Sequence, residues 1–378
     1  MFRVFRGCWF VSLVYELFNS LLEAPVIIQR ILCAILGVYI SALAVKSAVR
    51  TFVLPRSAYD GVTSLVFRSI RWIFDQRVSR LTTYAARDQL MAYYAPVALL
   101  SLLPVWLALI EIGHTLIFFS LGISDWWLAF TLSGSSLLTL GFAQGTNFLH
   151  TLLAFEEATT GLILVALLIA YLPTMYTAFS RRENAVTRLA VRAGEPPSAV
   201  NMLLRFNRLQ RLNKQDLMDE VWIDWEIWFS ELEESHTSLA ALVFFRSPQP
   251  DHSWITAAGT VLDAASLMAS TLDVPPNPRV NLCIRAGFIA LRRIADFFGV
   301  EYNSDAHFPE DPISISRVEF DEVYDTLVAD GVPVKADRDA AWQDFAGWRV
   351  NYDRVLLALC QMTMAPYAMW SSDRSATR

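Results

Sequence analysis

Residues 125–148 read DWWLAFTLSGSSLLTLGFAQGTNF, and their composition decides how the chain is organised. They lie inside a 93-residue stretch, Asp88 to Ser180, that contains no lysine or arginine. Only Asp88, Glu111, Asp125, Glu156 and Glu157 are acidic there. A stretch of this kind is bilayer material. It divides into three apolar pieces, 92–122, 125–148 and 154–180. The outer two are long enough, as helices, to cross a hydrocarbon core about 30 Å thick. The middle piece packs Thr131, Ser133, Gly134, Ser135, Ser136, Thr139, Gly141, Gly145 and Thr146 into sixteen residues. A helix of that composition faces lipid poorly, because its backbone is weakly shielded.

The flanks give an independent test. Upstream lie Lys46, Arg50, Arg56, Arg68, Arg71, Arg77, Arg80 and Arg87; downstream lie Arg181, Arg182, Arg188 and Arg192. Basic loops stay on the cytoplasmic side, so both flanks belong there and an even number of crossings separates them. Two pieces therefore span and one does not. The polar middle piece is the one expected to fold back, which is tolerated where protein buries it or where it lines water.

The rest of the 378 residues fits around this core. The chain is 54% hydrophobic and 18% charged, with a mean hydropathy of +0.36. Residues 1–182 carry 13 Lys+Arg and 9 Asp+Glu, whereas 183–378 carry 18 and 28, so a membrane half is joined to an acidic soluble half. The net charge of −6 leaves no basic excess for a nucleic-acid partner. Residues 26–50 form a further span. Residues 8–24 place Ser12, Glu16, Asn19, Ser20 and Glu23 on one helical face, suited either to the interface or to a crossing with that face toward other helices. Arg3 and Arg6 precede a short apolar run, but Glu16 interrupts it and no small-residue cleavage site follows, so this segment is expected to be retained. The expected organisation is an N-terminal helix and span over 1–54, a basic linker over 55–91 able to lie on anionic headgroups, a membrane domain over 92–182, and a helical domain over 183–378.

The order span, short helix, loop, span carries a resemblance. SSLLTLGFAQ, residues 135–144, resembles the selectivity-filter signature of the potassium channel superfamily, Thr-x-Gly-Tyr/Phe-Gly-Asp, over about a quarter of the chain. Thr139, Leu140, Gly141 and Phe142 match; Ala143 stands in place of the second glycine and Gln144 in place of the aspartate. The resemblance implies an all-α pore-loop channel fold, an outer helix over 92–122, a pore helix and filter over 125–148 and an inner helix over 154–180. It implies carbonyl ligands for K+ from Thr139, Leu140, Gly141, Phe142 and Ala143, replacing the ion's hydration shell, with Na+ left open by the two departures. One loop per chain implies a homotetramer. At the outer mouth, Gln144 is uncharged, and Glu156 and Glu157 either restore negative potential or solvate a helix start. Gly161 and Pro173 are candidates for a gate hinge, with a static kink as the alternative. Ala143 either strains the outer filter or takes another geometry.

The soluble half reads as helical over 183–193, 197–211, 215–245, 253–271, 279–298, 316–329 and 337–364, separated by Pro/Gly/Asp clusters. Glu233-x-x-His236 matches one arm of a helical di-iron site without the second. No nucleotide-binding glycine loop, nucleophile elbow or zincin motif occurs. Cys8, Cys33, Cys283 and Cys360 have no metal or disulfide spacing. The chain is thus read as a non-enzymatic cation channel of the cell membrane whose cytoplasmic domain meets an unidentified ligand or partner. The alternative is a non-conducting or non-selective pore-loop protein serving as receptor or scaffold.

Overall fold

The computed structural model describes residues 5–54, 60–213 and 218–374. Among them are thirteen α-helices, one short 3₁₀ segment and no strand. Three apolar helices are long enough to cross a membrane, Val26–Phe52, Tyr84–Ser120 and Phe148–Ala193. The described residues form an all-helical fold consistent with a membrane protein, and these helices overlap the spans expected over 26–50, 92–122 and 154–180. The polar face expected over residues 8–24 lies outside the residues whose side chains are described.

The chain forms two compact units. One comprises the chain up to Leu54, Ala58–Ser69 and Ala98–Leu172. Helix α1 (Phe5–Phe52) packs against α4 (Tyr94–Ser120) through small residues. A Cβ on Gly37 would lie 2.5 Å from the Gly113 carbonyl, and one on Gly113 would lie 2.2 Å from Ser41 Oγ. Only glycine permits that approach, a common device where helices meet in lipid. Below it, the fully buried Trp106 donates Nε1–H to Ser47 Oγ at 2.9 Å, and Ser47 donates to Asp60 Oδ2 at 2.5 Å.

The second unit is discontinuous in sequence, combining Ile70–Val97 with the chain from Pro173 onward. The linker expected over 55–91 is thus divided: part of α2 (Gly61–Val78) and all of α3 (Tyr84–Met91) belong with the helical unit. Arg246 fixes them there. It pairs with Asp88 at 2.5 Å and donates to the carbonyls of Thr363 and Met364 at 2.7 and 3.1 Å, and Tyr94 packs edge-on against Phe74 and Phe244.

At the centre of this unit is α9 (Trp254–Ser270), almost wholly buried because its small apolar residues go round every face. Around it pack α7 (Ala199–Asn213), α8 (Met218–Ser238), α10 (Pro278–Phe297), α12 (Arg338–Arg349) and α13 (Asp353–Thr363). Helix α11 (Arg317–Ala329) starts at a reciprocal Ser316/Glu319 capping box. Trp222, Trp225 and Trp228 of α8 are buried in the core. Three expected helix boundaries are corrected. The segment 183–193 is the end of α6 (Phe148–Ala193), not a separate helix. The helix expected over 215–245 stops at Ser238 and tightens into the 3₁₀ segment Ala240–Phe244. The helix expected over 337–364 breaks between Arg349 and Asp353, where Tyr352 turns into the core to reach Asp263 at 2.9 Å.

The 3₁₀ segment is held by Arg182, which donates to the Leu242 and Phe245 carbonyls at 2.8 and 2.7 Å and pairs with Glu183. His236 is fully buried beside it, 3.4 Å from Arg182 Nη1 and ring to ring with Trp254 at 4.7 Å. Its partner in the expected half-site, Glu233, instead pairs with Arg293. Burial, reinforced by the Arg182 charge, holds the His236 imidazole well below its ordinary range, so it is neutral in the fold. The unfolded chain protonates this ring near pH 6.5 while the folded one does not. Its contribution is therefore complete above that pH and falls by up to about 1.4 kcal/mol per pH unit on acidification. His236→Gln is expected to flatten the dependence of unfolding free energy on pH between about 6.5 and 5, read by tryptophan fluorescence in denaturant titrations. An unchanged slope would assign the acid sensitivity to other groups.

Candidate functional site

Helix α5 (Trp126–Leu137) begins at Asp125, whose side chain accepts from Trp127 N at 2.9 Å and whose own backbone is extended. Twelve residues at 1.5 Å each give about 18 Å, well short of a bilayer core. Trp126 stacks on Phe119 of α4 with ring centroids 4.0 Å apart, while Trp127 is exposed.

Contacts along α5 set its direction. Trp126 meets Phe119, and further on Ser133 Oγ lies 3.1 Å from the Glu111 carbonyl oxygen, so α5 runs antiparallel to α4. Against α6, Ser133 donates to Glu157 Oε1 at 2.5 Å, and a Cβ on Gly161 would lie 2.5 Å from the Leu137 carbonyl oxygen. Residue numbers rise together in those two contacts, so α5 and α6 run parallel. Residues 138–147 must then travel back along α5 before α6 can start. They do so close to its surface. Leu140 N and Gly141 N donate to the Ser135 carbonyl at 2.8 and 3.3 Å, Thr139 N donates to Ser136 O, and Ala143 N reaches Ser135 Oγ at 3.0 Å. Ala143 packs on the small cluster of Phe118, Ile123, Ala129 and Leu132. At the far end a Cβ on Gly145 would meet His150 Cβ at 2.7 Å, and Asn147 Oδ1 caps α6 by accepting from His150 N.

Two alternate residues of the turn have left-handed backbones, Thr139 at φ 54° and Gly141 at φ 74°. For a β-branched residue such as threonine this is a strained state that the surrounding bonds must enforce. Ala143 stands outside the positive-φ region. Leu138, Thr139, Leu140, Gly141, Phe142 and Gln144 are exposed on one chain.

No protein-family model, curated protein or solved structure matches the chain. What the segment can do is set by its own atoms. The C-terminal end of α5 carries a partial negative charge from its aligned peptide dipoles. That end leads into a turn of exposed residues in which Thr139 and Gly141 have left-handed backbones.

The remaining expected site residues fall in different places. Glu157 is fully buried, facing Ser133 and lying 3.9 Å from His114 Nδ1, so it is not at an exposed mouth. The reason is the parallel register, which turns this face of α6 toward α5. Glu156 remains half exposed and bonds His114 Nε2 at 2.8 Å. Gly161 is a point of close approach for the Leu137 backbone. Pro173 lies within the unbroken α6, at the boundary of the two units, where it deprives the Ile169 carbonyl of its helical amide. The pairing of His114 with Glu156, 42 residues away, and the double role of Ser135 as carbonyl and hydroxyl acceptor left no signature in the sequence.

Proposed function

We infer that the chain is one subunit of a passive cation channel of the pore-loop type, in which residues 138–144 line the ion path. The observation that carries this reading is the parallel register of α5 and α6. A helix too short to span is followed by a loop that returns along it, between two helices long and apolar enough to span. In a bilayer this is a re-entrant loop, and irregular backbone at membrane depth is tolerated where it lines water or is buried. The left-handed Thr139 and Gly141 support the further step that their carbonyls and those of Leu140, Phe142 and Ala143 face an ion. One loop closes no ring, so the reading includes a homotetramer with the four loops about a common axis. Much of the apolar surface of each span lies uncovered on the single chain, which leaves room for both lipid and neighbouring copies. K+ is the proposed ion by resemblance, and Na+ passes as well if Ala143 and Gln144 relax the outer part of the path. The unit that contains 173–374 is assigned a cytoplasmic, regulatory role, and the arginines of α2 a contact with anionic headgroups.

Purified protein in liposomes under opposed K+ and Na+ gradients is expected to conduct, with a reversal potential displaced toward that of K+. Gly141→Asp is expected to abolish the current, since a side chain at φ 74° strains the turn and a carboxylate traps the ion. A reversal potential of zero would make the pore non-selective. Silence of the unmodified protein across pH, calcium and voltage would reject conduction.

A further inference from the structure

The carboxyl group of Glu157 has no role in the ion path just described, yet it is placed where an acid is costly. It belongs to an apolar span, is fully buried, and its Oε2 has no hydrogen-bond partner among the described residues. Between Asp88 and Ser180 no lysine or arginine is available to pair with it. Acidic side chains at membrane depth are rare and tend to serve function.

What Glu157 touches indicates the role. Its Oε1 lies 2.5 Å from Ser133 Oγ, in the range of hydrogen bonds that involve an ionised or acidic oxygen. Ser133 Oγ in turn lies 3.1 Å from the Glu111 carbonyl oxygen. One hydroxyl thus joins three helices, α4, α5 and α6. The Ser133–Glu157 bond survives either protonation state, and the further bond to Glu111 O needs the acid form. A carboxylate accepts the Ser133 proton, and a carboxylic acid donates its own to Ser133, which then donates to Glu111 O. Beside it, His114 presents Nδ1 to the Ile110 carbonyl at 3.1 Å and Nε2 to Glu156 at 2.8 Å, closing the cluster toward solvent. On the other flank of α5, Gly134 leaves the space that the Glu111 carboxylate fills.

We propose that Glu157 is a positioning residue for the re-entrant turn: through Ser133 it fixes α5 against α6 and α4, and so sets where the carbonyls of 139–143 stand. One residue beyond Ser133 along the backbone is Gly134, and the next, Ser135, is the acceptor for Leu140, Gly141 and Ala143. A shift of α5 at Ser133 therefore moves the turn directly. The inference rests on the channel reading only for its electrical consequence; the mechanical part stands on the contacts alone.

The test has two arms. In the first, Ala143→Cys is introduced, the protein is placed in liposomes, and the rate of maleimide labelling at that residue is read by mass spectrometry. Labelling is expected to rise at least about tenfold in Glu157→Ala and in Ser133→Ala, and to stay near the parent rate in Glu157→Gln, which keeps a donor and an acceptor. In the second, the same substitutions without the cysteine are compared for reversal potential under K+ and Na+ gradients. Glu157→Ala is expected to move it toward zero and Glu157→Gln to restore it. Equal labelling in all variants, with each still folded by thermal melting, would overturn the proposal. Raised labelling in Glu157→Ala from a protein that never conducts would uphold the tie and reject the channel. Raised labelling in Glu157→Gln as well would show that the acid itself is needed and overturn the hydrogen-bonding account.

Discussion

Arg349→Met is expected to lower the stability of the helical unit by about 3–5 kcal/mol, the usual result of removing one member of a buried charge cluster. Arg349 has no exposed surface. Its guanidinium pairs with Asp263, donates to Asp353 Oδ1 at 2.7 Å and donates to the Trp370 carbonyl at 2.5 Å. Burial pushes the Asp263 carboxyl up, and the adjacent guanidinium opposes that rise. Tyr352 donates to the same carboxylate, and Asp353 accepts from both the backbone and the hydroxyl of Ser314. Methionine fills much of the volume but leaves Asp263, in the middle of the most buried helix, without a cation. The loss is measurable as a shift in the urea midpoint followed by tryptophan fluorescence in detergent. Adding Asp263→Asn to Arg349→Met is expected to recover part of it, because the uncompensated charge goes too. Equal midpoints for the parent and Arg349→Met would mean that the cluster contributes no net stability.

Gly161→Ala is expected to have the largest effect in the membrane unit, although it adds one carbon. The new Cβ would lie 2.5 Å from the Leu137 carbonyl oxygen and 3.1 Å from Leu137 Cδ1. A backbone atom cannot rotate out of the way, so α5 must move. Overpacking of this kind costs about 1–3 kcal/mol, and here it acts at the last residue of α5, immediately before the turn. On the channel reading proposed above, conductance in liposomes is expected to fall at least about tenfold, because the carbonyls that would replace an ion's hydration shell are displaced with α5. Gly347→Ala supplies the contrast: nothing lies within 4 Å of its Cβ position, so helix propensity alone predicts a neutral or slightly stabilising change. If the two substitutions behave alike, close packing at Gly161 is not what positions α5.

The membrane architecture was legible because charge is expensive in lipid. The absence of Lys and Arg between 88 and 180 delimited the spans, and the Gly/Ser/Thr content of 131–146 singled out the piece that does not cross. Several helices of residues 183–374 end beside Pro or Gly, but α8 stops at Ser238 and the chain breaks at Arg349–Asp353 with no such residue to mark either end; at the second, Tyr352 turning toward Asp263 makes the break. The same limit applied to Glu157 and Gly161. Their residue types are compatible with an outer mouth or a hinge, and only the parallel register of two helices some 24 positions apart in sequence, Ser133 to Glu157 and Leu137 to Gly161, reveals that both face α5.

The discontinuity of the helical unit has a consequence for how the polypeptide is made. In sequence, Ala98–Leu172 is an insertion: Asp88, Tyr84 and Tyr94, on one edge of the helical unit, are synthesised before it, and their partners Arg246, the Met364 carbonyl and Phe244 come after. The early edge must therefore wait for these later partners while the intervening stretch is made. A fragment started at residue 183 would carry Arg246 with its carboxylate partner missing and Phe244 with one aromatic neighbour fewer, so the natural cut for an autonomous soluble piece does not coincide with the end of the hydrophobic sequence.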